Sequence, residues 1–229
     1  MKLLQLTRDK EKTYLKSVLE SLRLPRAVVK QEVETLCKNG IVVARRGTIE
    51  LSDWHRMELA VFLLSKGCDA KKVSRLLSWQ EFEHLASRLL REHGLNTAHR
   101  VVFKTLDSNR REIDLVAWND VFLMALDCKR WQHGWSYGSA QRAAQAQIER
   151  TTALAARLDV LTKLGVKKLE HRTMMPILLS LEDPPQKIIL GVPVVPILKF
   201  SNFLNSVPPL GKGLKNIRVG AGAKQTLLT

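Results

Sequence analysis

Apolar residues recur at helical spacing along the first part of the chain. Residues 8–24 carry such a stripe, which predicts a helix. The members of the stripe are Tyr14, Leu15, Val18, Leu19 and Leu22. A second predicted helix begins at Pro25, a residue suited to the first helical turn, and ends at Asn39-Gly40. The pattern therefore predicts two successive helices before residue 40.

The hydrophobic pattern then changes to short alternating runs. Residues 41–44 and 48–51 form two such runs around Arg45-Arg46-Gly47, which predicts a β-hairpin. Two helices followed by a hairpin are typical of a winged helix. We therefore assign a winged-helix-like domain to residues 1–51.

The rest of the chain divides into a helical bridge, an α/β domain and a tail. Residues 52–78 return to helical spacing and would form the bridge. Residues 79–207 change from helix to strands and back, which predicts an α/β domain with a mixed central sheet. Its elements are expected near 80–93, 100–106, 111–118, 121–129, 139–164, 174–181 and 192–199. Residues 208–229 are rich in Gly and Lys and are expected to form a basic flexible tail.

The charge of the chain is its most informative compositional feature. The 229 residues include 37 Lys and Arg against 22 Asp and Glu, a formal net charge of +15. Such an excess favours a polyanionic partner such as nucleic acid, and an unspecialised basic surface is the alternative. Three cysteines without CxxC spacing argue against a disulfide framework and a thiolate zinc site. Because no apolar run suits a membrane span or a signal peptide, we expect an intracellular, cytoplasmic protein that binds no membrane.

Two strongly apolar predicted strands, 111–118 and 121–129, carry acidic residues near one end. Because side chains alternate along a strand, the charged members would share one face and the opposite face would be apolar core. The charged residues are Glu112, Asp114, Asp127 and Lys129. A single lysine among three carboxylates leaves excess negative charge, which a metal ion would relieve.

Asn119-Asp120 lies between these strands and predicts a two-residue hairpin turn. Such a turn would set Asp114 opposite Ala125 and make Asp114 and Asp127 diagonal neighbours, roughly 7–8 Å apart at the backbone. Two carboxylates at this separation could converge on one Mg²⁺ ion, which takes oxygen ligands. Lys129 could hold a water or stabilise charge on a phosphate. A salt-bridged sheet edge without metal is the alternative that the spacing leaves open.

The run Glu112-Ile-Asp-Leu-Val-Ala117, followed by Ala125-Leu-Asp-Cys-Lys-Arg-Trp131, resembles the core motif of the PD-(D/E)xK nuclease superfamily. Its members include archaeal Holliday-junction resolvases and type IV restriction endonuclease-like proteins. The resemblance covers about 79–205 and implies a restriction-endonuclease-like fold, with a mixed central sheet flanked by helices. It implies that Asp114 and Asp127 are metal ligands and that Lys129 is the catalytic lysine.

The resemblance also implies an acid in the preceding helix and, in several members, a glutamine in the following one. Glu83 borders the apolar stripe of the first helix and is the expected acid and metal ligand, with Glu81 as the alternative. Gln141 and Gln145 are i, i+4 neighbours in the following helix, and Gln145 is favoured as the catalytic glutamine. Two solvated glutamines are the alternative.

Basic and aromatic residues outside the motif are candidate contacts to nucleic acid. Lys30 would face outward from the second helix, and Arg45 and Arg46 would tip the wing, where phosphate contacts are common. Arg130 and Trp131 follow the motif and could contact the backbone or stack on bases. A protein-binding winged helix and a packed aromatic loop are the alternatives.

Together these features predict a metal-dependent DNA endonuclease that hydrolyses phosphodiester bonds in DNA repair, recombination or restriction. Mg²⁺, or Mn²⁺ in its place, is the expected cofactor. DNA is the expected partner, with a homodimer and a repair or recombination protein as further candidates. The alternative is a non-catalytic DNA-binding regulator or scaffold that keeps the nuclease fold, and an RNA endonuclease is a third possibility.

Overall fold

A computed structural model describes residues 1–8, 10–69, 72–73, 75–129, 136–180, 183–206 and 213–220. Contacts between Cα atoms divide the chain into two compact units, Met1–Leu85 and Ala86–Thr229. Arg130 and Trp131, two of the predicted nucleic-acid contacts, lie outside the described residues. The domain limits drawn from the sequence stay predictions.

The first unit combines short helices with a small antiparallel sheet. Helices α1 to α4 span Lys2–Leu6, Leu15–Ser21, Arg26–Lys38 and Asp53–Ser65, and strands β1 to β3 span Lys12–Tyr14, Val43–Arg45 and Thr48–Glu50. The strand order is β1-β3-β2. Helix α5, Trp79–Glu92, crosses from this unit into the second.

The predicted helix over 8–24 is wrong in its first half. Residues 12–14 form β1, with Thr13 paired to Ile49 of β3, and helix begins only at Leu15. Pairing with β3 gives backbone N–H and C=O groups of β1 hydrogen-bond partners, and Thr13 is buried. These tertiary contacts override the local helical pattern.

Residues expected to form a bridge contribute to the core of the first unit. Four buried apolar side chains from 52–78 belong to its hydrophobic cluster: Leu59, Ala60, Val73 and Leu77. This part of the chain therefore packs as a component of the first unit.

A buried arginine ties together separate segments of the first unit. Arg56 on α4 is 3% exposed. Its guanidinium donates to the carboxylate of Glu81, to the carbonyl oxygens of Leu4 (2.9 Å) and Leu76 (2.6 Å), and to Oγ1 of Thr7 (2.6 Å). Since Glu81 is 2% exposed, the ion pair is almost fully removed from water. Glu81, the alternative helix acid of the sequence interpretation, is thus engaged by Arg56.

The second unit is built on one mixed sheet. Strands β4 to β10 span Asn96–Lys104, Arg110–Trp118, Leu123–Lys129, Thr173–Ser180, Ile188–Ile189, Val192–Pro196 and Ile217–Arg218. Over the described ranges the sheet order is β4-β5-β6-β7-β9-β8, with β10 beside β7. The β6–β7 and β7–β9 pairs are parallel and the others antiparallel. This confirms the predicted α/β fold with a mixed central sheet flanked by helices.

The helices of the second unit differ from the predicted ones in number and bounds. The predicted helix over 139–164 is two helices, α6 (Tyr137–Ala155) and α7 (Leu158–Lys163). Arg157 separates them with a non-helical backbone (φ −101°, ψ 75°), and its guanidinium donates to Asp159 and to the carbonyl of Lys104. Helix α8 spans Phe200–Ser206. None of the helices in the described part of the chain has the length and apolar character needed to cross a bilayer.

Part of the expected flexible tail belongs to the sheet. Residues 213–220 contain β10, in which Ile217 pairs with Met174 of β7. Ile217 and Val219 are buried in the hydrophobic cluster that contains Met174. Alternation of these two apolar residues outweighs the Gly- and Lys-rich composition on which the expectation was based.

Candidate active site

The hairpin formed by β5 and β6 sets the distance between the two candidate carboxylates. Its register pairs Leu115 with Leu126, and the loop comprises residues 119–122 rather than two residues. Continuing this register sets Asp114 opposite Asp127, so the predicted diagonal arrangement is wrong. The shift is an even number of residues, and the predicted faces are therefore retained.

Asn119 explains the longer loop. Its Oδ1 accepts hydrogen bonds from the backbone N–H groups of Val121 (2.9 Å) and Phe122 (2.7 Å), which closes the loop as an Asx turn. Arg172 Nη2 donates to the carbonyl oxygens of Asn119 (2.6 Å) and Phe122 (2.9 Å). The side chains of Asn119 and Arg172 thus fix the register that brings the carboxylates together.

Asp127 is a buried carboxylate between two cations. It is 3% exposed, and its Oδ1 accepts a hydrogen bond from Arg150 Nη2 at 2.7 Å. Its Oδ2 lies 2.7 Å from Lys129 Nζ, an ion pair that lacks hydrogen-bond geometry. Among the described residues, Oδ2 therefore has no hydrogen-bond donor. One oxygen of Asp127 is held by charge alone.

Asp114 faces the same point from β5. Its Oδ2 accepts a hydrogen bond from the backbone N–H of Cys128 at 2.8 Å. Burial raises the pKa of Asp114, and the negative charge of Asp127 raises it further. The Cys128 N–H and the charges of Lys129 and Arg150 act in the opposite direction without cancelling this effect. The ionised form of Asp114 is thus disfavoured mainly by burial, and a metal ion bound to it would stabilise that form.

The raised pKa of Asp114 predicts a pH-dependent gain in stability for Asp114→Asn in the absence of metal. The folded state binds the proton more tightly than the unfolded state, so ionisation of Asp114 lowers the free energy of unfolding. That loss develops as the pH rises from the ordinary value of 3.8 through the raised pKa. Thermal unfolding from acid to neutral pH should show a stability gain of the variant over the parent that grows through this window and stays constant above it. A variant less stable than the parent throughout would contradict the prediction.

The sequence interpretation missed two contacts from α6. Gln147 is fully buried, and its Nε2 donates to the carbonyl of Ala125 at 2.8 Å. Its Oε1 accepts from Nε (3.2 Å) and Nη2 (3.0 Å) of Arg150, the residue that also binds Asp127. A sequence signal for Gln147 exists, because it is the long polar member of a stripe of small and apolar residues. The stripe comprises Ala140, Ala144, Gln147, Thr151 and Leu154.

The other predicted site residues have different surroundings. Gln145 is exposed and donates to Glu149, one turn along α6, at 3.0 Å. Glu83 is buried on the part of α5 that belongs to the first unit, and its role stays a prediction. In the first unit Arg45 and Lys30 are exposed. Arg46 is exposed as well and begins the β2–β3 turn with a positive φ of 48°.

The charge balance of the site differs from the expectation of one lysine among three acids. Glu112 pairs with Arg100, with Nε and Oε1 3.3 Å apart, in a largely exposed contact. Arg150 adds a second cation beside Asp127. The local charge of two carboxylates, one lysine and one arginine is therefore close to zero before any metal binds.

The donor set nevertheless fits a divalent cation. Nowhere in the described ranges do three or more His, Cys, Asp or Glu side chains form a metal-binding group. Asp114 and Asp127 supply two carboxylates, and Mg²⁺ commonly uses one or two carboxylates, with water and phosphate oxygens completing its shell. The Asp127 Oδ2 atom, buried without a donor, is one ligand oxygen that such an ion would satisfy.

Comparison with known proteins places this site in a nuclease context. Residues 74–154, about a third of the chain, match the protein-family model Mrr_cat, described as a restriction endonuclease. No curated protein matches the chain. A solved structure titled "Crystal Structure of Protein of Unknown Function AF1548" is 20% identical, with a TM-score of 0.29, over 53% of this chain and 52% of that chain. The chain thus spans about half the length of that structure.

The family match confirms the resemblance to a PD-(D/E)xK-type restriction endonuclease domain for residues 74–154. That stretch contains Asp114, Asp127 and Lys129 together with Gln147 and Arg150. The match supports a nuclease-type function for this part of the chain. The resolvase subtype and the winged-helix assignment stay predictions.

Proposed function

We propose that this protein is a metal-dependent DNA endonuclease with Mg²⁺, or Mn²⁺ in its place, as cofactor. One observation carries the proposal. Asp114 and Asp127 face each other beside Lys129 at one end of β5 and β6, inside the stretch that matches a restriction endonuclease family. The net charge of +15 supports nucleic acid as the substrate. DNA repair, recombination or restriction is the proposed setting.

Each residue of the site has a separate part in the proposed reaction. A bound divalent ion would polarise the phosphate and activate a water. Asp114 and Asp127 would hold that ion, and the Cys128 N–H keeps the Asp114 carboxylate in place. Lys129 would orient the attacking water or stabilise negative charge on the phosphate. From the order of the motif we also propose Glu83 as a further metal-binding acid.

Nicking of supercoiled plasmid tests the proposal. The parent should cut with Mg²⁺ or Mn²⁺ and stop cutting in EDTA. Lys129→Met should cut about 10²–10³-fold more slowly, the usual effect of losing one charge-stabilising donor. Lys104→Met is the matched control, because it removes an exposed lysine from β4 of the same sheet and should cut like the parent. Cutting in EDTA, or full activity of Lys129→Met, would contradict the proposal.

A second candidate function is a DNA-binding regulator or scaffold without catalysis. The charge balance favours it, because Lys129 and Arg150 already compensate Asp127 and Asp114. A parent that binds duplex DNA but cuts neither plasmid nor a branched duplex with either metal would favour the regulator. An RNA strand run beside the DNA substrates tests the RNA endonuclease.

We further propose that residues 1–51 form a winged helix that contacts DNA through Lys30, Arg45 and Arg46. The order α1-β1-α2-α3-β2-β3 and the exposure of all three side chains support this proposal. The turn that carries Arg46 is completed by Gly47, whose φ of 79° favours glycine. A homodimer that cuts both strands, and a repair or recombination protein as partner, belong to the same proposal.

The double variant Arg45→Ala/Arg46→Ala is expected to bind duplex DNA more weakly and with less dependence on salt. Each lost phosphate contact should reduce the slope of log K against log salt by about 0.9. Fluorescence anisotropy of a labelled duplex over a range of salt concentrations measures this slope. Lys16→Ala/Arg23→Ala removes the same charge from exposed positions of the first unit and is the control. Equal slopes for both double variants would show that the β2–β3 turn does not contact DNA.

A further inference from the structure

Asp127, the proposed metal ligand, has a cation at each of its oxygens. Arg150 Nη2 lies 2.7 Å from Oδ1, and Lys129 Nζ lies 2.7 Å from Oδ2. The buried carboxylate has little access to water that could replace either cation. A divalent ion that binds Asp127 must therefore compete with at least one of the two.

Arg150 is the cation better placed to move. Its side chain is 24% exposed and that of Lys129 is 31% exposed, so both cations reach the edge of the site and a second anchor distinguishes them. Its Nε and Nη2 also donate to Gln147 Oε1, and Gln147 is anchored to the carbonyl of Ala125. This anchor would keep the guanidinium at the site after its bond to Asp127 breaks. Within the described part of the chain, the two N–H groups of Arg150 Nη1 have no acceptor.

A phosphate is the partner that this arrangement fits. A guanidinium presents its N–H groups as a planar fork that can donate to two phosphate oxygens at once, whereas an ammonium acts as a point charge. Arg150 could therefore turn from Asp127 to a DNA phosphate while it keeps its bonds to Gln147. Within the described part of the chain, Lys129 pairs with Asp127 and has no such second anchor.

We propose that Arg150 couples metal binding to DNA binding, an inference that rests on the proposed endonuclease function. Without DNA, Arg150 pairs with Asp127 and lowers the affinity of the site for the divalent ion. When a phosphate enters, Arg150 transfers to it, and its positive charge no longer opposes a divalent ion at the Asp127 carboxylate. Because such coupling is reciprocal, the metal raises DNA affinity by the same factor. The site then binds the divalent ion mainly when the protein is bound to DNA.

Titration with Mn²⁺ tests this coupling without relying on cleavage. The electron paramagnetic resonance signal of unbound Mn²⁺ gives the affinity of the full chain, with and without a phosphorothioate duplex that resists hydrolysis. The parent should gain about tenfold in Mn²⁺ affinity from the duplex, a typical coupling factor. Arg150→Gln should bind Mn²⁺ about tenfold more tightly than the parent without DNA and gain little from the duplex.

Two further variants keep the test sharp. Arg142→Gln removes an exposed arginine from the same helix and should behave like the parent, which excludes a general effect of charge. Arg150→Lys retains the charge and provides the test of coupling if Arg150→Gln does not fold. Its single ammonium cannot hold Gln147 and a phosphate together as the guanidinium can, so the gain from DNA should shrink.

The outcomes separate this inference from the proposed function. An unchanged DNA-free affinity in Arg150→Gln, or an undiminished gain from the duplex, overturns the coupling and leaves the endonuclease standing if the parent cuts plasmid with metal. A parent that binds no Mn²⁺ in either condition overturns both.

Discussion

Replacing Asp127 with asparagine is expected to lower the rate of metal-dependent nicking by at least about 10³-fold. The change removes the charge that would hold the cation while keeping the size of a side chain that is 3% exposed. It also leaves Lys129 and Arg150 without their carboxylate partner. These two side chains are 31% and 24% exposed and can turn toward water, so the free energy of unfolding should fall by only about 1–2 kcal/mol.

Plasmid nicking and thermal unfolding of the same preparations check both parts of this expectation. Asp120→Asn is the matched control, because Asp120 is exposed in the loop at the other end of the hairpin. The control should cut at the parental rate. Substantial metal-dependent cutting by a folded Asp127→Asn variant would rule out Asp127 as the ligand.

The largest expected loss of stability comes from Arg56→Met in the first unit. The variant leaves the buried Glu81 side chain without its cationic partner and removes a donor from the carbonyls of Leu4 and Leu76. Breaking a buried ion pair in this way costs about 3–5 kcal/mol. Denaturant unfolding, followed with a probe in the first unit, measures the change.

Two comparisons separate the ion pair from simple loss of packing. Lys16→Met removes one partner of the exposed Lys16–Glu20 pair and should cost about 0–1 kcal/mol. The double variant Arg56→Met/Glu81→Met should recover part of the loss, because no unpaired charge then remains. A cost for Arg56→Met no larger than that for Lys16→Met would show that the buried pair contributes little.

The strand faces of the candidate site were accessible from the sequence, whereas the register was not. Alternation along two apolar strands placed Asp114, Asp127 and Lys129 on one face, and the structure retains that arrangement. The register depends on Asn119, whose side chain closes a four-residue loop by accepting two backbone hydrogen bonds. The dipeptide Asn119-Asp120 does not distinguish a two-residue turn from the longer loop, because a two-residue turn and an Asx turn use the same residue types.

The partners of Asp127 from α6 were harder to predict. The glutamine pair at 141 and 145 has the same i, i+4 spacing that marks a helix face, but the face that meets the sheet carries Gln147. Which face is buried depends on packing against β5, β6 and β7. Strand β10 was missed for a similar reason, since its pairing with β7 joins residues about 40 positions apart, and no short pattern reports it.

The three cysteines allow local opening of each unit to be followed by thiol labelling. Cys37 and Cys68 belong to the first unit and are partly accessible, whereas Cys128 belongs to the second and is fully buried. A thiol reagent can therefore reach Cys128 only when strand β6 opens locally around Asp127 and Lys129. The labelling rate of this one sulfur reports how often the candidate active site comes apart, and a cation held by Asp127 should slow it.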